Sequence, residues 1–390
     1  MTARQKPNRQ KGSRPMPKLL FLLPNLDNGG AERVLVNLVN NMDCGKYDIT
    51  VQTMFRGGSN AKHLNRYVRH INTGASAIRG ISVIIKLLPA RWLFKYFIGN
   101  SRYDIYIAYM HGAATKVLLG EKNIKKIAWL HSDVPHARLW KFLRKKSIGK
   151  ALGSYNKIVG VSGAVTDAFA REYSLKEKIV TKYNTNDINR IEAMAEKPVD
   201  VEFSGQTVNL IALGKLSNVK GYERLLRVCK RLKDGGFRFK LCIFGDGTKR
   251  KILERMVKDD ELAGYVGLMG YVDNPYPYLK KADVFICSSF YEGLSTILSE
   301  AVILGKTCIS TNVAGAKEIL GQNNEFGVVV ENNENALYEG LKDFLENPEK
   351  ISYYAQKARE RRLFFNTEAT VKAVEELIDE VAGCARDEND

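Results

Sequence analysis

The chain has 390 residues, 45% of them hydrophobic and 26% charged, an ordinary globular composition with room for two domains that each bury a core. Its formal net charge of +17 is lopsided: residues 1–190 hold 33 Lys and Arg against 11 Asp and Glu, whereas residues 191–390 hold 27 against 32. A field confined to one half points to an anionic partner such as a membrane surface, a phospholipid-linked substrate or nucleic acid, and no run of about 18 apolar residues is present to make a spanning helix.

The first 18 residues contain Arg4, Lys6, Arg9, Lys11, Arg14 and Lys18 and no acid, so 1–17 reads as a basic, disordered tail. The run "LLFLL" stops at Pro24, too short for the apolar region of a signal peptide. "KLLFLLPNL" (18–26) reads as a buried strand, "GGAERVLVNLVNNM" (29–42) as a helix with apolar spacing at Val34, Leu35, Leu38 and Val39, and "YDITVQTMF" (47–55) as the next strand. Further strands are expected at 103–110, 125–131 and 156–162, each leading into a helical or polar stretch. That alternation implies a parallel sheet covered by helices on both faces.

The pattern restarts after "KPVDVEFSGQT" (197–207), which reads as a linker. Strands are expected at 208–214, 240–247, 264–270, 282–289, 306–311 and 326–331, giving an N-terminal domain over 18–196 and a C-terminal one over 208–390, both Rossmann-like. The last long helix, about Glu368 to Val381, can complete either. The six cysteines, Cys44, Cys229, Cys242, Cys287, Cys308 and Cys384, have no C-x-x-C spacing, and four sit in or beside apolar runs, which fits a reducing cytoplasm.

"ADVFICSSFYEGLSTILSEAVILG" (282–305) carries the most chemistry. Its strand delivers the chain to the carboxyl end of a parallel sheet, where open α/β sheets bind ligands. Ser295 is the expected N-cap of a helix from Thr296 to Leu304 that Gly305 ends. Ile297, Leu298, Ala301, Val302 and Leu304 form its apolar stripe, with Glu300 beside it and Glu292 in the preceding loop. Amides of Leu294, Ser295 and Thr296 lie between the two carboxylates, so two acceptors for sugar hydroxyls flank an anion cradle. A glutamate on a helix is more often merely solvated.

Glu292 to Glu300, followed by A-x-x-x-G-K-x-x-x-x-T, resembles the EX7E signature of the retaining glycosyltransferase family 4. "GKLSNVKGYERLL" (214–226), "IFGDG" (243–247), "GLMGYVDN" (267–274) and "NGGAERVLVNLV" (28–39) are similar to further segments of that family, in the same order. The resemblance covers most of the chain. It implies an α/β GT-B fold, two facing Rossmann-like domains with parallel sheets, and transfer of a sugar from a nucleotide diphosphate donor with retained anomeric configuration. By the same resemblance, Lys215 and Lys220, in the segment that Gly214 opens, neutralise the diphosphate. Glu300 binds the ribose, Glu292 the donor sugar hydroxyls, and Gly293, Leu294, Ser295 and Thr296 the phosphates. Gly245 belongs to the donor site, and Tyr271 or Val272 meets the base through main-chain atoms. His131, at the end of a strand, takes a catalytic position near the donor sugar, with His111 and His136 as competitors. Gly29 and Gly30 bring backbone close to donor phosphate or acceptor, since glycine accepts positive φ without steric cost. One departure is "KYNTNDINRI" (182–191), where Thr185 replaces the family's Pro while Asn184 and Asp187 match.

No D-x-D and no metal-ligand spacing occurs, and G-x-G-x-x-G is missing, so neither a metal nor another cofactor is expected. The favoured donor is a UDP-sugar and the favoured acceptor a lipid-linked glycan or polysaccharide of the bacterial cell surface. Two rivals are a nucleotide-sugar 2-epimerase on the same fold and a basic nucleic-acid-binding protein; the second lacks any recognisable nucleic-acid module, so no nucleic-acid partner is expected. "ISVIIKLLPARWLFKYFIG" (81–99), with Lys86, Arg91 and Lys95, resembles an interfacial amphipathic segment. So does "ARLWKFLRKKSIGK" (137–150), with Arg138, Lys141, Arg144, Lys145, Lys146 and Lys150. They place the enzyme at the inner face of the cell membrane through an anionic surface; the bland alternative is aromatics in the core and cations in solvent.

Overall fold

The computed structural model describes residues 15–27, 29–75, 85, 87–132, 141–199 and 207–383, with residues 141–146 described in their backbone alone. The chain divides into two compact units: one runs to Thr185 and resumes at Thr367, the other spans Asn186–Asn366.

The first unit is built on a seven-stranded parallel sheet of β1 (Lys18–Leu23), β2 (Asp48–Phe55), β3 (Arg69–Ala75), β4 (Ile105–Ala108), β5 (Lys126–Leu130), β6 (Lys157–Gly160) and β7 (Ile179–Thr181), ordered β3-β2-β1-β4-β5-β6-β7. Leu19 to Leu23 are fully buried, as the unbroken apolar run requires of a central strand covered on both faces. The edge strands β3 and β7 escape the sequence reading for physical reasons. "RHINTGA" is polar and partly exposed, and β7 has only three residues.

The helices of this unit are α1 (Gly30–Asn41), α2 (Ala90–Phe97), α3 (Ala113–Leu118), α4 (Lys141–Gly153), α5 (Gly163–Tyr173) and, from the far end of the chain, α14 (Thr367–Ala382). α14 buries Val371, Val374, Leu377, Ile378 and Val381. Tyr47 OH donates to Asp379 Oδ1 at 2.7 Å, the Asp43 amide to Glu375 Oε1 at 2.8 Å, and Lys157 Nζ lies 2.6 Å from Glu380 Oε1. An apolar stripe with polar contacts along its margin thus fixes the terminal helix, which the sequence leaves unplaced.

The second unit has a six-stranded parallel sheet of β8 (Val208–Leu213), β9 (Phe239–Phe244), β10 (Val266–Gly270), β11 (Val284–Cys287), β12 (Thr307–Thr311) and β13 (Val328–Val330), ordered β10-β9-β8-β11-β12-β13. Its helices are α6 (Ile188–Ala195), α7 (Tyr222–Asp234), α8 (Arg250–Asp259), α9 (Tyr276–Lys281), α10 (Thr296–Ile303), α11 (Ala316–Leu320), α12 (Glu334–Glu346) and α13 (Pro348–Arg361). Leu210, Leu225, Leu241, Val284, Leu337 and Leu341 form part of its core, each side chain worth about 1.5–3 kcal/mol on burial. Asp187 caps α6 by accepting from the Arg190 amide at 3.0 Å, and Asn274 Nδ2 donates to Met194 O at 2.8 Å, so α6 packs with the second unit. The division therefore falls ahead of the 197–207 stretch, whose residues 200–206 lie outside those described.

In each sheet the strand order reverses beside its first strand, between β1 and β4 and between β8 and β11. In open α/β sheets such a reversal, at the carboxyl edge of the strands, is the place where ligands bind.

Candidate functional site

Beside the switch point of the second sheet, at the carboxyl ends of β8, β9 and β10, the backbone at Gly245 is packed without room for a side chain. Gly245 has φ +138°, and a Cβ there would lie 2.0 Å from Gly214 O; its amide donates to Gly270 O at 2.7 Å. Gly214 itself has φ +145°, a region glycine alone enters cheaply. The loop after β8 then makes a 3₁₀ turn, Asn218–Lys220, and is stitched to the loop after β11. The Phe290 amide donates to Val219 O at 2.7 Å and Ser288 Oγ to Lys220 O at 2.8 Å. As a result Lys220 Nζ sits 2.7 Å from Glu292 Oε1, which also accepts from Ser289 Oγ at 2.6 Å. Burial pulls the Lys220 ammonium pKa down, but Glu292 outweighs it and the net shift is upward, so the group is a cation at working pH.

The same loop runs into α10. Gly293 and Leu294 are buried against Gly315, where a Cβ would meet Gly293 O at 3.0 Å. Ser295 holds the N-cap position, but its side chain does not cap the helix: Oγ is buried with no hydrogen-bond partner among the described residues. Thr296 begins the helix, whose first-turn amides have no intrahelical partners and whose dipole favours an anion at that end. Glu300 is only 3% exposed, and Tyr276 OH donates to its Oε1 at 2.9 Å, the kind of partner a buried carboxylate requires. Lys215 is exposed, as is Tyr271, whose OH reaches Asp273 Oδ1 at 3.3 Å, and Val272 is half-buried.

The structure thus brings Gly214, Lys220, Gly245 and Glu292 into one packed set, with Gly293 to Thr296 following directly along the chain. His131, Gly29 and Gly30 belong to the first unit. His131 follows β5 with its ring 4.8 Å from that of Tyr109; its Nε2 and the Tyr109 hydroxyl are buried without hydrogen-bond partners among the described residues. The other ring nitrogen bonds the Tyr109 backbone. Burial first, and His111 second, lower the imidazole pKa to about 3, so His131 is neutral. His111 Nε2 lies 3.4 Å from Ser132 Oγ, and His136 lies outside the described residues.

The reason expected for the glycine pair is corrected. Gly29 has φ −82° and Gly30 opens α1; neither adopts positive φ. What a Cβ at Gly29 would meet is the end of the flexible Glu32 side chain, its Oε2 at 2.0 Å, so a larger residue there requires Glu32 to swing away. Tyr276, Ser289 and Arg224 are contacts the sequence reading missed. For Arg224 a signal existed: a charge on the buried stripe of α7, next to Leu225 and four residues before Val228.

Two units, each a parallel sheet with Rossmann-like strand order, make this a GT-B protein by fold, and the carboxyl edge of the second sheet carries a cation, a carboxylate and a helix N-terminus. The family model of glycosyl transferases group 1 matches residues 195–361, and that of glycosyltransferase family 4 matches residues 28–190. The chain belongs to these family 4, group 1 glycosyltransferases. Among its relatives is the N-acetylgalactosamine-N,N'-diacetylbacillosaminyl-diphospho-undecaprenol 4-alpha-N-acetylgalactosaminyltransferase of Campylobacter jejuni, 28% identical over 69% of this chain and 71% of that protein. A second enzyme of that organism, GalNAc-alpha-(1->4)-GalNAc-alpha-(1->3)-diNAcBac-PP-undecaprenol alpha-1,4-N-acetyl-D-galactosaminyltransferase, is 25% identical over 89% of this chain and 94% of its own. Anabaena HepE, solved in complex with UDP and glucose, shares the fold with a TM-score of 0.72 at 16% identity, covering 93% of this chain and 100% of that one.

Proposed function

We propose that the enzyme moves a sugar from a UDP-sugar to a lipid-linked glycan acceptor with retention of anomeric configuration and without a metal. The observation that carries this is the Lys220–Glu292 pair at 2.7 Å, set at a sheet switch point directly before the N-terminus of α10. As the glycosidic bond to the donor breaks, negative charge grows on the diphosphate and positive charge on the sugar ring. An ammonium and helix amides fixed beforehand stabilise the first. The Glu292 carboxylate, with a second oxygen beyond its bond to Lys220, accepts from sugar hydroxyls and favours the second. Glu300, held by Tyr276, accepts from the ribose. With cations and helix dipole supplying the charge, no divalent ion is required of the chain; among the described residues no cluster of three His, Cys, Asp or Glu side chains could hold one.

The names of the two Campylobacter enzymes, both acting on undecaprenol-diphosphate-linked glycans, support the acceptor class. No helix among the described residues is long and apolar enough to cross a membrane. α2 supports a peripheral site: Leu93, Phe94 and Phe97 face the core, while Trp92 is 68% and Tyr96 64% exposed beside exposed Arg91 and Lys95. Aromatic rings flanked by cations suit an anionic lipid headgroup layer. Of the second basic segment, Arg138 and the side chains of Lys141, Arg144, Lys145 and Lys146 lie outside the described residues, as does Lys86.

A thermal-shift panel of UDP-, GDP- and ADP-sugars, followed by NMR of the product formed from the stabilising donor, tests the reading. Selective stabilisation by UDP-sugars and a product with the donor's anomeric configuration are expected. An inverted product would overturn the retaining assignment.

A further inference from the structure

Arg224 lies on the buried stripe of α7 and is 3% exposed. A guanidinium stays charged in a protein, and a charge taken from water needs compensation. Its hydrogen-bond partners are neutral: Nη1 donates to Asn332 Oδ1 at 2.8 Å, and Nη2 to Ser288 O at 2.6 Å and Ser289 O at 3.3 Å. The guanidinium carbon stands 4.2 Å from the centre of the Phe290 ring. Asn332 completes the grip, its Nδ2 donating to Phe290 O at 3.0 Å. Three consecutive residues, Ser288, Ser289 and Phe290, are therefore held by one side chain and its neighbour. As a source of stability this is a poor arrangement, because an apolar side chain in its place avoids the desolvation cost. What the planar fork supplies is geometry.

That geometry falls on the site. Ser289, whose carbonyl Arg224 holds, donates to Glu292 through its hydroxyl, and Ser288 bonds the carbonyl of Lys220. Phe290 and Tyr291, the residues between the clamp and Glu292, are both exposed, so packing alone does not fix this stretch. We infer that Arg224 is a positioning residue: it clamps the loop after β11 so that Glu292 stands against Lys220. The inference rests on the reading of Glu292 as a ligand of the donor sugar.

The test has one arm independent of any donor. Hydrogen exchange of the whole protein should show the amides of residues 289–294 exchanging about tenfold faster in Arg224→Met, with α7 amides protected as in the parent. Asn332→Ala, the milder variant if Arg224→Met does not fold, should loosen the same peptide. A cavity of about 290 Å³ lined by Ser217, Val219, Arg224, Arg227, Lys249 and Tyr291 adjoins the clamp, so millimolar guanidinium should restore protection in Arg224→Ala, and methylammonium should not. The second arm is a cycle on turnover of whichever UDP-sugar the parent hydrolyses. Arg224→Met should lower kcat about tenfold more than it raises KM, and should cost less than about twofold in the Glu292→Gln background. Unchanged exchange at 289–294, or the same kcat loss in both backgrounds, overturns the clamp. Full activity in Glu292→Gln overturns instead the role given to Glu292, and the exchange arm still decides whether Arg224 holds the loop.

Discussion

Lys220 Nζ and Glu292 Oε1 stand 2.7 Å apart although the residues come from loops after different strands, and the two side chains are only 24% and 14% exposed. A pair this sheltered is worth more than a surface one, and breaking it from either side leaves a charge poorly solvated. The two substitutions should nevertheless differ in what they cost.

Lys220→Ala removes the cation proposed to meet the diphosphate. Affinity for UDP should fall about 10- to 100-fold while affinity for uridine changes less than about threefold, in keeping with a charge-assisted bond of roughly 1.5–3 kcal/mol. Calorimetric titration with both ligands reads the difference, and equal losses would reassign Lys220 to packing.

Glu292→Gln keeps shape and one acceptor but loses the charge. UDP affinity should hold within about threefold and kcat should fall by about 100-fold or more, the signature of an interaction made mainly in the transition state. Unchanged turnover at saturating donor would sink the role. Turnover of the parent should also persist in EDTA; loss that Mn²⁺ restores would refute metal-free transfer.

Much of this site was legible because its parts are local. All six strands of the second sheet overlap the segments read as strands, and Glu292, Ser295 and Glu300 sit at spacings that a strand end followed by a helix explains. Lys220 was legible as a cation at a strand end, but its partner was not, since the pairing depends on two loops meeting at a crossover. The same holds for Tyr276 on Glu300 and Arg224 on Ser288. Gly29 misled as to cause: its φ is negative, and what a Cβ would meet there is the carboxylate of Glu32, a neighbour that a sequence does not show.

Tyr276→Phe should destabilise the protein by about 1–2 kcal/mol, because it withdraws a donor from a buried carboxylate. If Glu300 binds ribose, the same variant should raise the KM for donor more than it lowers kcat. A urea melt unchanged from the parent would show that the bond contributes nothing.

His131 gives the stability a pH dependence with a definite sign. Burial, with His111 second, holds its imidazole pKa at about 3, against about 6.5 in an unfolded chain. Between those values the unfolded state takes up a proton that the folded state refuses, so stability rises with pH across that window and falls on acidification. The urea midpoint of the parent should therefore drop more between about pH 7 and pH 4 than that of His131→Asn. Parallel curves would mean that His131 titrates normally and is not sealed.

Lys215 and Lys220 leave the surplus charge of residues 1–190 unexplained, because both lie in the other unit. α2 turns Trp92 and Tyr96 outward, where an ordinary amphipathic helix would show only polar groups, and sets Arg91 and Lys95 beside them. Rings insert at the headgroup level and give a salt-insensitive part of binding, whereas each cation near an anionic leaflet contributes about 1 kcal/mol that salt screens beyond about 8 Å. The two contributions are separable. Trp92→Ser with Tyr96→Ser should weaken sedimentation with phosphatidylglycerol vesicles at every salt concentration, while Arg91→Ala with Lys95→Ala should weaken it mainly at low salt. Both pairs should slow transfer to a vesicle-held acceptor and leave donor hydrolysis within about twofold of the parent, since α2 carries none of the residues proposed for the donor site. Vesicle binding that matches the parent in both double variants would remove α2 from the membrane surface and leave the basic half to another anionic partner.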